Sequence, residues 1–210
     1  MLTTQRLSLR ELSEEDRADF DAIFRDPETI YAYGYLFSPE ELDAWFERQM
    51  AHQARYGYGL WTAVERLSDT PVGFCGIVRR NIENTEELEI SYFVKKRFRH
   101  RGYAREAAAA CRDYAFNVLG AKRVVACVRV DNAPSRRVAE SLGMHLLTSE
   151  IKSKNGARVI NAQTFMSETT VFPGFISKRV MQASGTGVRT RNEAMSRAGQ
   201  NFDQEPVPSY

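Results

Sequence analysis

Six residues near the middle of the chain, Arg99-His100-Arg101-Gly102-Tyr103-Ala104, have the types and spacing to hold an anion. The run before them, Leu88 to Val94, is rich in Ile, Tyr, Phe and Val and reads as a buried strand. Lys95, Lys96, Arg97, Arg99 and Arg101 follow, the chain bends at Gly102, and an alanine-rich helix begins. Ala104, Ala107, Ala108, Cys111, Ala115 and Val118 fall at helical spacing and give that helix one apolar face. A helix N-terminus presents unpaired backbone N–H groups and the positive end of its dipole, and arginines add formal charge, so the arrangement suits a phosphate. Two common nucleotide loops do not fit. One needs paired glycines followed by Lys-Ser/Thr and the other needs three glycines, and neither pattern is present.

A second group of polar residues lies at Asp131-Asn132-Ala133-Pro134-Ser135, where a strand gives way to a helix with Pro134 in its first turn. The two groups resemble the two halves of one family signature. Arg99 to Ala104, R-x-x-G-x-A, resembles the acetyl-CoA pyrophosphate loop Q/R-x-x-G-x-G/A of the GNAT superfamily of N-acetyltransferases. Asn132-x-x-Ser135-x-x-Val138, continued by Leu142-Gly143-Met144, resembles that family's N-x-x-S segment and stands at its usual distance. Near the start, Thr4, Arg6, Leu7, Leu9 and Arg10 with Asp16 resemble the opening of the branch that acetylates ribosomal-protein N-termini. The resemblance runs from about Leu2 to about Glu168.

The elements that must position these residues follow from periodicity. Leu7 and Leu9 alternate with polar residues in a first strand, and Ser13 to Asp16 opens a helix with Phe20, Ile23 and Phe24 on its apolar side. Ser38-Pro39-Glu40-Glu41 opens a longer helix with Leu42, Trp45, Phe46, Gln49 and Met50 inward and Gly57 at its end. Leu60–Val64, Val72–Val78 and Leu88–Val94 read as an antiparallel meander, with Asn81 to Glu87 a polar link. The helix from Tyr103 runs to Leu119 before Gly120. Arg123 to Val130 returns after a helical crossover and so lies parallel to the strand before the basic turn. Leu146–Lys152 and Arg158–Ser167, joined at Asn155-Gly156, make a final hairpin. The resemblance implies an α/β (α+β) GNAT fold: a mixed, mostly antiparallel sheet splayed between its two central parallel strands, with helices on both faces. The expected division is an acetyltransferase domain over 1–168 and an extension over 169–210, flexible or an arm reaching another subunit.

Composition narrows the classes. A formal charge of +2 is nearly balanced, so the positive charge is local to Lys95–Arg105. No apolar run is long enough to cross a bilayer, and no secretory signal opens the chain. Cys75, Cys111 and Cys127 lack metal-ligand spacing and read as small core residues. The expectation is a cytoplasmic protein with no membrane, nucleic-acid or metal partner.

The resemblance implies acetyl-CoA as co-substrate, held by Phe93, Val94, Arg99, Arg101, Gly102, Tyr103, Ala104, Arg105, Asn132 and Ser135. The acceptor is a primary amine on a protein N-terminus or a small molecule, attacked without a covalent enzyme intermediate, and a homodimer follows by analogy. Glu89 matches the glutamate of the family's strand motif and is the expected general base, with Glu87 as fallback. Many relatives protonate the departing thiolate with a tyrosine after the Asn motif, but none stands between Tyr114 and Tyr210. Ser135 takes that role by resemblance, through a hydrogen bond. Asn132 reads equally as a cap of the helix it precedes, and Ser135 as an ordinary first-turn residue. Tyr31, Tyr33 and Tyr35 are candidates for acceptor contact. The alternative of another class is a GNAT-fold module that binds CoA without turnover, and a nucleic-acid site on Lys95–Arg105 is a third.

Overall fold

Leu7 and Leu9 leave one face of a five-residue strand and are completely buried, and the same alternation recurs across a single sheet. The structure, a computed structural model, describes residues 1–29, 37–82, 85–154 and 158–168. In chain order the elements are β1 Leu2–Thr3, β2 Leu7–Glu11, α1 Arg17–Phe24, α2 Pro39–Tyr56, β3 Leu60–Glu65, β4 Thr70–Ile82, β5 Thr85–Val94, α3 Tyr103–Asn117, β6 Arg123–Arg129, α4 Ala133–Ser141, β7 His145–Lys154 and β8 Arg158–Glu168. The eight strands lie in the order β1-β2-β3-β4-β5-β6-β8-β7. Every pairing is antiparallel except β5 with β6.

The helices cover both faces, as the resemblance implies. On one, Phe20, Phe24, Trp45 and Phe46 of α1 and α2 pack on Phe74. The Phe20 ring stands 4.6 to 5.6 Å from those of Phe24, Trp45, Phe46 and Phe74, mostly edge-on. On the other, Ala107, Ala108, Cys111 and Ala115 of α3 lie against Trp61, Ile77, Ile90, Val124 and Ala126. Small side chains on α3 let it seat close to the sheet.

Local signals set the helix ends. Ser38 N–H donates to the Glu41 carboxylate (2.9 Å) and Glu41 N–H to the Ser38 hydroxyl (3.2 Å), a complete capping box before Pro39. Gly57 closes α2 in the left-handed conformation, φ 72°. The helix expected to reach Leu119 ends at Asn117 instead, and Ala121 N–H donates back to the Ala115 carbonyl (2.9 Å) around Gly120.

The expected polar link Asn81–Glu87 is corrected: β4 continues to Ile82 and β5 begins at Thr85. Its charges meet partners on neighbouring strands, Glu86 with Arg79 and Glu87 with Arg123, and Arg80 and Glu89 pair just outside it. Such pairs let a polar segment extend a ladder. The final hairpin forms, with β8 inserted between β6 and β7. Asn155-Gly156, Tyr31, Tyr33, Tyr35 and the extension 169–210 lie outside the described residues.

Asp16 fixes the entry to α1. Its buried carboxylate accepts two hydrogen bonds from Arg10 (2.7 Å each), one from Ser13 N–H (3.0 Å) and one from the Thr62 hydroxyl (2.8 Å). Burial pushes its pKa up, but the bonds from Arg10, Ser13 and Thr62 outweigh that and hold it below the usual aspartate value. A lowered folded pKa stabilises above the unfolded value of about 4 and is lost as pH falls through the folded one. Asp16→Asn should therefore cost about 1–3 kcal/mol near neutrality, and the gap from wild type should shrink as urea unfolding is repeated from pH 5 down to pH 3.

Gly73 allows β4 to press against the end of β5: a Cβ there would stand 2.0 Å from the Phe93 carbonyl oxygen and 2.9 Å from the Val94 Cα. Both obstacles are backbone. Gly73→Ala should lose about 2 kcal/mol or more in denaturant unfolding.

Candidate active site

The parallel ladder between β5 and β6 consists of one pairing, Glu89 with Val125. On its other edge β5 is paired with β4 from Thr85 to Val94. Beyond Glu89 the β5 edge facing β6 therefore has no strand partner among the described residues, and a cavity of about 850 Å³ fills the fork. Ser91 to Val94, Cys127 to Arg129, the start of α3 and the start of α4 line it. That volume lies in the usual range for a small-molecule site, about 300–1,000 Å³.

The start of α3 is an open helix end. Gly102 is its N-cap, left-handed at φ 81°, and no side chain caps it. Glu106 N–H donates to the Gly102 carbonyl (3.1 Å), which begins the helical ladder and leaves the N–H groups of Tyr103, Ala104 and Arg105 without intrahelical partners. Those three residues line the cavity. His100, also lining it, is left-handed at φ 61°, a conformation that costs a non-glycine residue energy.

An acid in this first turn would repel a phosphate, and Glu106 is such an acid. Thr4 hydroxyl (2.6 Å), Arg6 N–H (2.7 Å) and Arg6 Nε (2.7 Å) all donate to its carboxylate. Burial pushes the Glu106 pKa up, yet these bonds from Thr4 and Arg6 prevail and hold it down. Arg6 Nη1 also donates to the Arg101 carbonyl (2.9 Å), so the turn is latched to the segment before β2.

The arginines of the turn diverge. Arg105 lines the cavity and is exposed. The Arg101 guanidinium lies 5.4 Å from the Phe98 ring centre and Arg101 is not among the lining residues. Arg99 lines the cavity but its guanidinium is bound to protein oxygens on several sides. Arg137 of α4, which sequence reasoning passed over, also lines the cavity, is exposed, and forms no ion pair with a described residue.

Asn132 caps α4, its Oδ1 accepting from Ser135 N–H (3.1 Å). Ser135 meets a residue that the sequence reading missed. The Tyr92 hydroxyl donates to the Ser135 carbonyl (2.9 Å) and accepts from the Ser135 hydroxyl (3.1 Å), and both residues line the cavity. Burial pushes the Tyr92 pKa up, against the hydrogen bond from Ser135, so the phenol stays protonated through the neutral range. A search confined to tyrosines after the Asn motif could not find it. The available signal was the period of β5, which puts Tyr92 on the face opposite Glu89, Ser91 and Phe93.

Glu89 is 2 % exposed, lines the cavity and is ion-paired with Arg80. The fallback Glu87 is bound by Arg123 and is not a lining residue, so the geometry separates the two carboxylates. Phe93 lies against Phe24 (4.9 Å) and Trp45 (6.1 Å), which fixes the wall opposite α3. The Val94 carbonyl accepts from Arg99 Nε (3.2 Å).

A family profile described as an acetyltransferase (GNAT) domain matches residues 6–145. The chain belongs to the GNAT acetyltransferase family. It is an N-acetyltransferase, of a family that uses acetyl-CoA. An uncharacterized Bacillus subtilis protein, YkkB, is 37% identical over 145 residues, 69% of this chain and 84% of that protein. An acetyltransferase from Agrobacterium tumefaciens superposes with a TM-score of 0.69 at 24% identity, covering 80% of this chain and 94% of that one. Spermidine N-acetyltransferase from Vibrio cholerae, in complex with CoA and spermine, gives a TM-score of 0.64 at 15% identity over 78% and 95%. A ribosomal-protein alpha-N-acetyltransferase in complex with CoA gives 0.61 at 17% over 79% and 95%. At these identities the structures establish the GNAT fold alone. Among the described residues, no cluster of His, Cys, Asp and Glu is placed to hold a metal ion, and no helix is long and apolar enough to cross a membrane.

The Tyr92–Ser135 pair bridges the two sides of the GNAT splay. Tyr92→Phe and Ser135→Ala should each lower kcat, and because they share one contact the double variant should cost little more than either single one. Steady-state kinetics on the four proteins checks this, and full additivity would show two independent roles.

Proposed function

We propose that this enzyme transfers the acetyl group to a primary amine, on a protein N-terminus or a small molecule, by direct attack with both substrates held in the fork between β5 and β6. The observation that carries the reading is the placement of an uncapped helix N-terminus and a buried carboxylate on the walls of one cavity. The acetyltransferase domain spans 1–168, with 169–210 as its extension.

Acetyl-CoA fits the groups present. The N–H groups from Gly102 to Arg105, with the Arg105 and Arg137 side chains, supply the donors and charge a diphosphate needs. The β5 edge at Phe93 and Val94, with the Asn132 side-chain NH₂, suits the amides of a pantetheine arm. When bound, the thioester supplies an activated acetyl carbon. Glu89 takes the proton of the incoming ammonium, directly or through a water, so that a neutral amine attacks. The Ser135 hydroxyl, which donates to Tyr92 in the free enzyme, turns its one proton to the departing thiolate. Holding both reactants in one cleft supplies much of the rate.

The acceptor follows less directly, because relatives of this fold include a spermidine and a ribosomal-protein enzyme. A panel of spermidine, free amino acids and N-terminal peptides, incubated with acetyl-CoA and assayed for free thiol, tests the reading. At least one member should be acetylated, and Glu89→Gln should lower kcat/KM for it by about 10²–10³ while leaving CoA affinity unchanged. No thiol release across the panel would overturn the proposal.

A further inference from the structure

Arg99 opens the R-x-x-G-x-A turn, and its position in the sequence suggests a diphosphate ligand. Its side chain points to other work. Nε donates to the Val94 carbonyl (3.2 Å), Nη1 to the Glu28 carboxylate (2.5 Å), and Nη2 to both the Asp26 carboxylate (2.8 Å) and the Thr29 hydroxyl (2.9 Å). These bonds use four of the five N–H donors that a guanidinium carries. Two partners are anionic, and Glu28 is shared with Lys96 (2.7 Å), so the charge around Arg99 is balanced within the protein. Swinging the guanidinium onto a diphosphate would strip Asp26, itself only 15 % exposed, of its counter-charge.

What Arg99 does hold is a wall. Pro27, Glu28 and Thr29 line the cavity, as does Ile23 of α1, and they face the stretch of β5 that carries Ser91 to Val94. No secondary-structure ladder ties Asp26–Thr29 to β5. The Arg99 fork does so, joining the side chains of Asp26, Glu28 and Thr29 on that segment to the last carbonyl of the strand. We propose that Arg99 is a positioning residue for the acceptor side of the cleft, linking that wall to the diphosphate turn through its own backbone, and is not a ligand of the diphosphate. The proposal rests on the acetyl-transfer reading for what the wall contacts, though not for which groups Arg99 binds. Because one residue belongs to both the turn and the wall, coenzyme binding steadies the acceptor side, and acceptor binding returns the same factor to the coenzyme.

Lysine keeps the charge of arginine but cannot form the fork. Arg99→Lys and Arg99→Gln therefore separate the two roles. Coenzyme A affinity by calorimetry, amide hydrogen exchange over Phe24–Thr29, and KM for spermidine or an N-terminal peptide, whichever the enzyme acetylates, are measured on each. Both variants should keep the Kd for coenzyme A within about threefold, speed exchange over Phe24–Thr29 by about tenfold, and raise acceptor KM by about tenfold with a smaller change in kcat. Asp26→Asn acts from the other end of the same contact and should speed exchange likewise with Arg99 intact. Weakening of coenzyme A binding by about tenfold in Arg99→Gln but not in Arg99→Lys, with exchange unchanged, overturns the proposal in favour of a diphosphate ligand. Unchanged exchange in Asp26→Asn also overturns it. If the wild type acetylates nothing, the transfer reading fails, while the calorimetry and exchange still decide the place of Arg99.

Discussion

A β-ladder that pairs along its whole length uses up its backbone groups and leaves no opening, so the constraint behind this site is where the ladder between β5 and β6 stops. It stops at Glu89 and Val125. β5 remains bonded to β4 along its full length while its other edge is released. The N–H and C=O groups on that edge need partners, and an amide-rich ligand is the kind of molecule that can supply them in the manner of an added strand. The carboxylate at the point of parting, Glu89, is thereby buried yet on the cavity wall, whereas Glu87 is not on it.

Formal charge was a poor guide to electrostatics around the turn. The run Lys95–Arg105 reads as a basic patch, but Lys95 pairs with Asp19, Lys96 with Glu28, and Arg99 with Asp26 and Glu28. Of the basic side chains in that run, only Arg97, Arg101 and Arg105 form no ion pair with a described residue, and of these only Arg105 lines the cavity. The positive character of the site therefore owes more to backbone N–H groups and the helix dipole than to the arginines that make the sequence conspicuous. Charges spent on neighbouring carboxylates fasten α1 to the end of β5 instead.

The parts of the fold that a sequence displays locally were legible in it. The capping box at Ser38 and Glu41 and the left-handed closure at Gly57 follow from residues within a turn of each other, and the parallel return of Arg123 from the single helix that precedes it. What was not legible depends on partners far along the chain. The stretch Asn81–Glu87 looked like a link because its polarity could be read but its cross-strand charges could not. Tyr92 was passed over because its value lies in contact with Ser135, forty-three positions away. The insertion of β8 between β6 and β7 is a fact of topology that two adjacent strands and a turn do not announce.

The same reasoning explains why residues near the start of the chain resemble a family signature whose chemistry lies elsewhere. Helices α2 and α4 begin under capping side chains, Ser38 and Asn132, whereas α3 begins at a bare glycine beside a left-handed His100. A capping side chain at Gly102 would satisfy the N–H groups that an anion needs, so stability and binding compete for the same donors. The loss is offset from outside the helix. Thr4 and Arg6 bind Glu106 in the first turn, and Arg6 binds the Arg101 carbonyl just before it, so the turn is held by its flanks while its centre stays open. Arg10 and Asp16 in turn fix the strand-to-helix corner that follows. The residues at the start of the chain thus hold a helix end about a hundred positions downstream by its flanks, without capping it.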